Sequence, residues 1–290
     1  MPFGEKTVVA ITDEKWSATR RSLQETSGRF AGLLSAVADS RAKATVHWSV
    51  AETAAHVVTL AQACSAMVGS GPSPDVADLV RATIVDTVDV LNDELLTRFT
   101  ERDLAALARL VPALADQILE SSAGADPATP VPWLGDSQVP LAGVLAHLLN
   151  EFQVHGRDIA RAARIEWRVP ARDAAHFFDL FLVGVTDYGY GHLLDGHGPA
   201  PRGRIAVEFR SPYTTPVTMA LTDGFVTVEP PGGPTDVRLS FDPTALNLML
   251  FGRISRGRAA LTGKVVVRGR RPWTLPAFLR IVRLPSLPRG

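Results

Sequence analysis

Hydrophobic positions recur every three to four residues through the first half of the chain and every second residue through much of its last third. Between about residues 12 and 40, Trp16, Leu23, Phe30, Leu34 and Val37 fall at helical steps, with Thr12 or Asp13 available as N-cap. A second helix is predicted from Ser49, just after Trp48, to about Val68, where Gly69, Gly71, Pro72 and Pro74 stop it. Residues 75–122 keep the helical period, with a break expected at about 97–102. A loop rich in Pro and Gly (AGADPATPVPWLGDSQVP) follows, and a further helix is predicted over about 141–164. Long helices with short connections make an antiparallel four-helix bundle.

After Pro170 another helical run extends to about Leu194. The period then becomes two. Ile205, Val207 and Phe209 alternate with other residues, as do Val217, Met219 and Leu221. Val226 with Val228, then Val237, Leu239 and Phe241, and later Val265 with Val267, continue the pattern. Asp223-Gly224 predicts a hairpin turn between the second and third runs. A short helix (PTALNLMLFG) separates the fourth and fifth strands, and an amphipathic one (WTLPAFLRIVRL) comes near the end. The expected architecture is a helical domain over 1–168 and a smaller α+β domain over 169–290. The second has a mostly antiparallel five-stranded sheet with helices on one face.

Composition narrows the function classes. At 290 residues the chain is long for one core and sufficient for two. Thirty basic residues balance thirty acidic ones, so the whole chain carries no electrostatic footprint for nucleic acid or an anionic membrane. Small molecules are the expected partners. No stretch approaches the ~18 apolar residues of a membrane span, and the opening MPFGEKTVVAITDEKW lacks the apolar core of a signal peptide. A cytoplasmic location is expected. Cys64 is the single cysteine, which excludes an internal disulfide and a Cys-rich zinc module. Any metal must be held by His and carboxylates.

The segment HLLNEFQVHGRDIARA carries such donors. Glu151 and His155 are four residues apart, so they project about one turn from each other on the same side of a helix. Leu141, Val144, Leu148, Phe152 and Ile159 define its apolar face; His155 falls inside that arc and Glu151 at its border. A buried carboxylate and imidazole need partners, and a metal would satisfy both. A Glu–His hydrogen bond in a satisfied core is the competing reading, because composition alone gives roughly one such pair. His56 is the candidate third ligand. It lies outside the polar wedge of Glu52, Thr59 and Gln62, nearer Leu60 and Met67, and taken alone it also reads as a core-edge histidine. Three ligands leave the fourth tetrahedral position open, as catalytic zinc requires.

The segments HWSVAETAAHVV and HLLNEFQVHGRDIARA resemble the two signature stretches of the mycothiol-dependent maleylpyruvate isomerase family, within the DinB-like metal-binding bundles. In that family a Trp begins the second helix and a His follows eight residues later, as Trp48 and His56 do. The later motif is matched by Glu151, His155, Gly156, Asp158, Ile159, Ala160, Arg161 and Ala162. The resemblance implies that His56, Glu151 and His155 ligate a divalent metal, zinc in the first instance, and that mycothiol is the thiol cofactor. ALTGKVVVRGRRPWTLPAFLRIV resembles the last strand and helix of sterol-carrier-type domains, with Gly269-Arg270-Arg271 where such sequences often have Gly-Asp.

The expected activity follows. A low-molecular-weight thiol entering the open position is deprotonated by the metal, and its thiolate adds to a small electrophile. Isomerisation through a reversible adduct and S-transfer are both compatible. Water activation for hydrolysis, a non-enzymatic carrier and a regulatory protein with a vestigial site remain open.

Other residues are weighed more briefly. Asp158 could orient His155 or pair with Arg157 or Arg161. His147, two turns before His155, reads as a boundary residue before a spare ligand, and His47 as a loop residue. His192 and His197 sit among glycines without a ligand spacing. Cys64 reads as packing rather than as a nucleophile. Arg81, Arg253, Arg256, Arg258 and Arg268 could meet carboxylates, and nothing in the sequence chooses among them.

Overall fold

In the computed structural model, residues 8–69, 74–135, 137–187 and 202–282 are described. Helix α1 (Asp13–Ala36) starts where Thr12 Oγ1 accepts the backbone N–H of Lys15 at 3.2 Å. Its buried stripe of Leu23, Phe30 and Leu34 follows the predicted period, while Trp16 and Val37 are only partly covered. Helix α2 (Val50–Val68) opens with a capping box. Ser49 Oγ accepts from Glu52 N–H, and the Glu52 carboxylate accepts from Ser49 N–H at 2.7 Å. That box fixes Trp48 at the mouth of the helix.

The stretch expected to hold one break has two. Helix α3 (Pro74–Ala82) ends where Thr83 Oγ1 donates back to Leu79 O and Ile84 N–H is taken by Thr87 Oγ1. Side-chain hydrogen bonds of this kind compete with the helical ladder. A single 3-10 turn (Val85–Thr87) leads into α4 (Val88–Arg98), and α5 (Leu104–Ser121) begins at the Asp103 cap. Helices α1 and α2 each pack against both α5 and α6 (Leu141–Ala163). The segment expected as a loop contains a short ladder, β1 (Pro130–Pro132) antiparallel to β2 (Gln138–Pro140), and its connection places Trp133 inside the molecule.

Helix α6 is the axis of the fold. Nearly every residue from Leu141 to Ala160 is buried, polar ones included. Its small residues explain the close approach of neighbours. A Cβ at Gly143 would lie 2.5 Å from Leu180 O, and one at Gly156 would lie 2.4 Å from the Trp167 ring. After α6 come α7 (Ala171–His176), a π turn (Phe177–Leu182) and α8 (Val183–Asp187). The single regular run expected here is therefore interrupted, and its predicted continuation to Leu194 lies outside the described residues, as do His192 and His197.

The sheet has the order β5-β4-β3-β6-β7. Its strands are β3 (Arg204–Arg210), β4 (Val217–Thr222), β5 (Phe225–Glu229), β6 (Val237–Phe241) and β7 (Val265–Gly269). All pairs are antiparallel except β3 with β6. The predicted hairpin at Asp223-Gly224 has both residues at positive φ, as a type I′ turn requires. Helices α9 (Pro243–Leu250), α10 (Arg256–Leu261) and α11 (Leu275–Ile281) complete this part. Phe178 of the π turn packs on Phe209 and Phe241, with ring centroids at 5.4 and 4.9 Å. Asn247 of α9 donates to Asn150 Oδ1 of α6 at 3.1 Å. Among the described residues no helix is long and apolar enough to cross a membrane.

Candidate metal centre

His56 lies two turns into α2, and His147, Glu151, His155 and Asp158 lie along one side of α6. The packing of α2 on α6 brings them together in the interior. His155 Nε2 is 3.2 Å and His56 Nε2 is 3.8 Å from the same oxygen, Glu151 Oε2. One donor atom from each of the three residues lies within 4.8 Å of the others. Donors bound tetrahedrally at ~2.1 Å stand roughly 3.4 Å apart, so the two distances to Glu151 bracket the edge expected around a cation. All three residues are buried.

The surroundings explain the ring orientations. Trp48 covers the His56 ring with centroids 4.6 Å apart, and the His56 and His155 rings meet edge to face at 5.0 Å. Behind His155, Nδ1 faces Asp158 Oδ2 at 3.4 Å without the geometry of a hydrogen bond. Asp158 is itself gripped from the sheet-bearing part of the molecule. Arg253 reaches Oδ2 with Nη2 at 2.6 Å and with Nε at 3.1 Å. The alternative pairings of Asp158 with Arg157 or Arg161 are not formed; Arg161 donates to Ala44 O instead.

The charges are coupled. Burial by itself would raise the Glu151 pKa, but the close approach of the His155 and His56 imidazoles outweighs it and holds the carboxyl well below its ordinary value. For His56 burial prevails over the attraction of Glu151, so its pKa is lowered; His147 is lowered for the same reason. His155 goes the other way. Burial opposes protonation there, but Asp158 and Glu151 on two sides raise its pKa. The result is an anion flanked by imidazoles whose other nitrogens are unsatisfied: Nδ1 of His56, His147 and His155 is buried without a hydrogen-bond partner.

Residues 21–160 match the family described as the mycothiol maleylpyruvate isomerase N-terminal domain. The match covers just under half of the chain.

No curated protein matches the sequence. The crystal structure of the mycothiol-dependent maleylpyruvate isomerase is 14% identical, with 91% of this chain and 95% of that chain covered and a TM-score of 0.45. A histidine-to-alanine mutant of that isomerase aligns at 13% identity over 87% and 92%, with a TM-score of 0.44. The stereoselective inverting sec-alkylsulfatase Pisa1 from Pseudomonas sp. aligns at 15% identity over 80% of this chain and 33% of that one, with a TM-score of 0.29.

Several residues fall differently from their sequence readings. His147 is the partly exposed residue expected, but it also meets the cluster: its Nε2 lies 3.5 Å from Glu151 Oε1, and its ring packs on Trp133 and Phe181. The i, i+4 spacing to Glu151 was the available signal. Glu151 is not at the border of an apolar face, because α6 has no exposed side at that level. Cys64 lines the same cavity, but burial and the Glu151 charge push its thiol up to about 12, which leaves it inert. Of the five arginines considered, Arg253 alone reaches the cavity. Arg81 is exposed and pairs with Asp78. His47 is an exposed loop residue.

The cavity extends from the cluster toward α3, α4 and the π turn, with a volume of about 170 Å³. Its walls are mostly apolar, and Trp133, Phe177, Phe181 and Phe251 contribute aromatic rings to them. Periodicity gave no hint of these four, since they come from a loop, a π turn and a helix end.

Proposed function

We propose that this chain is a metal- and thiol-dependent enzyme in which His56, Glu151 and His155 hold one divalent cation, zinc in the first instance, and mycothiol is the thiol. The reaction is isomerisation of, or S-transfer to, a small electrophile. The observation that carries this reading is the meeting of two imidazole Nε2 atoms at one carboxylate oxygen, inside an apolar cavity, with donors from two distant stretches. The donor set suits a borderline cation that keeps a vacant position.

A cation bound there lowers the pKa of an entering thiol and so supplies a thiolate at neutral pH. Glu151 contributes the one ligand charge. Asp158, clamped by Arg253, fixes the ring of His155 from behind. Trp48 does the same for His56 by covering its ring. The apolar walls exclude bulk water, and Cys64 is too weakly acidic to compete as nucleophile. The family of residues 21–160 favours mycothiol over other thiols. The division near 168/169 and a sterol-carrier-like character for the second part belong to the same proposal; that part delivers Arg253 to the site.

Elemental analysis of the purified chain tests the first step. Metal near one per chain, reduced to background by His56→Ala, is the expected result. Thiol-dependent consumption of maleylpyruvate or of an uncharged model electrophile tests the second. Turnover that is independent of added thiol would favour metal-assisted hydrolysis, and protein that takes up no zinc at micromolar concentration overturns the reading.

A further inference from the structure

The cavity beside the cluster says what kind of electrophile it accepts. Apart from the histidines, of which His155 is flanked by Glu151 and Asp158, Arg253 is the one cationic side chain among the described residues lining it, and lysine does not occur there. Its guanidinium is already committed. Nε and Nη2 hold Asp158, and Nη1 donates to Phe251 O at 2.6 Å. The remaining charged groups facing the space are acidic, Glu151 and Asp89. The rest of the lining is hydrocarbon and aromatic ring, apart from Asn92 on α4 and the histidines already described.

We infer that this cavity selects an uncharged, unsaturated electrophile of alkyl or aryl character and discriminates against a dicarboxylate. A carboxylate entering here loses its hydration and finds no free donor cation to replace it. A cation at the cluster does not reverse this. Its charge is already opposed by Glu151 and would be opposed again by a thiolate, while Asp89 repels a second anion across the space. An ester or ring of the same carbon framework meets Leu60, Leu91, Leu95 and the Phe177–Phe181 stack, for which burial of apolar surface is favourable. Shape and charge together thus reject the anion as much as they accept the neutral compound.

The inference rests on the proposed thiol-dependent reading for what happens to the ligand, but the preference belongs to the walls and is measured without thiol. Full-length protein treated with a chelator is titrated calorimetrically with diethyl maleate and with maleate, which share one unsaturated core. The diester is expected to bind at least ~10-fold tighter. Equal or tighter binding of maleate overturns the inference, and so does absence of binding by the diester up to its solubility. Asn92→Arg adds a free cation at a half-buried polar position of the wall and is expected to narrow the ratio ~10-fold; an unchanged ratio overturns the assignment to these walls. Repeating the titration after zinc is restored separates the two readings. A chain that prefers the diester but takes up no zinc retains the cavity inference and loses the metal one.

Discussion

Two buried polar clusters in this molecule are built differently. In the first, Asp179 of the π turn accepts from Lys15 Nζ at 2.6 Å and from Thr215 N–H at 3.1 Å, while His176 Nδ1 meets Thr19 Oγ1 at 3.0 Å. Asp179 and His176 are provided for by the chain itself. In the second, Glu151 is approached by three imidazoles, and each of those leaves a buried nitrogen unpaired. Buried polar groups are nearly always satisfied, so the first cluster reads as a fastening that joins α1, α7 and the sheet loops. The second instead turns imidazole Nε2 atoms from two helices toward one carboxylate oxygen, which is the arrangement of a ligand set.

That contrast can be broken or sharpened in four steps. Glu151→Gln should have the largest effect on function: zinc affinity and thiol-dependent turnover fall on the order of 10³-fold, whereas thermal unfolding of the metal-free chain changes little. Stoichiometric metal in the purified variant would show that the carboxylate is not a ligand. Asp179→Ala should do the reverse. Leaving a partly buried lysine and the Thr215 N–H without their shared acceptor costs about 1–3 kcal/mol, visible as a lower denaturant midpoint, with zinc content unchanged. Asp158→Asn should weaken zinc binding by about 10–100-fold through the loss of its hold on His155, measured by competition with a chromogenic chelator. Unchanged affinity would mean that His155 is oriented by the packing alone.

The smallest effect concerns pH. Burial, with Lys15 nearby, lowers the His176 pKa from its ordinary value of 6.5 to about 4. The unfolded chain then binds more protons than the folded one between those values, so this residue's contribution to stability is complete above about 6.5 and is lost as the pH falls toward 4. Between pH 7 and pH 5 the loss attributable to this residue is about 2 kcal/mol. Comparing the chain with His176→Gln at both pH values isolates it from the opposing carboxyls. The variant should lose less stability on acidification, and an equal loss in both proteins would contradict the assignment.

The sequence made much of this readable, for reasons that are specific. Helices α1, α2 and α6 and the strands announce themselves because one face of each is apolar at its own period. Glu151 and His155 were legible through their spacing, and His56 through its place outside the polar wedge of α2. The convergence of the three was implied by the family resemblance alone and could not be read from periodicity, because it depends on how α2 crosses α6. Nor was the complete burial of α6. Its apolar arc suggested one covered face, but Asn150 and Gln153 are also buried, the former bonded to Asn247 from the far end of the chain. The Asp158–Arg253 clamp was hidden for the same reason, its partners lying 95 residues apart. The break at residues 83–84 escaped because threonines do not interrupt apolar periodicity.

The π turn at Phe177–Leu182 carries a consequence for how the cavity could change. A π turn holds one residue more than an α-helical turn, and here its rings divide their duties: Phe177 and Phe181 stack along the cavity, while Phe178 grips the sheet. Losing a single residue from this segment would wind it back to an ordinary helix and remove the local offset that sends Phe177 and Phe181 to the cavity and Phe178 to the sheet. The aromatic wall would swing away from the imidazoles even though every ring was still present. The bore of this chamber is thus governed by a count along the backbone as much as by the identity of its side chains.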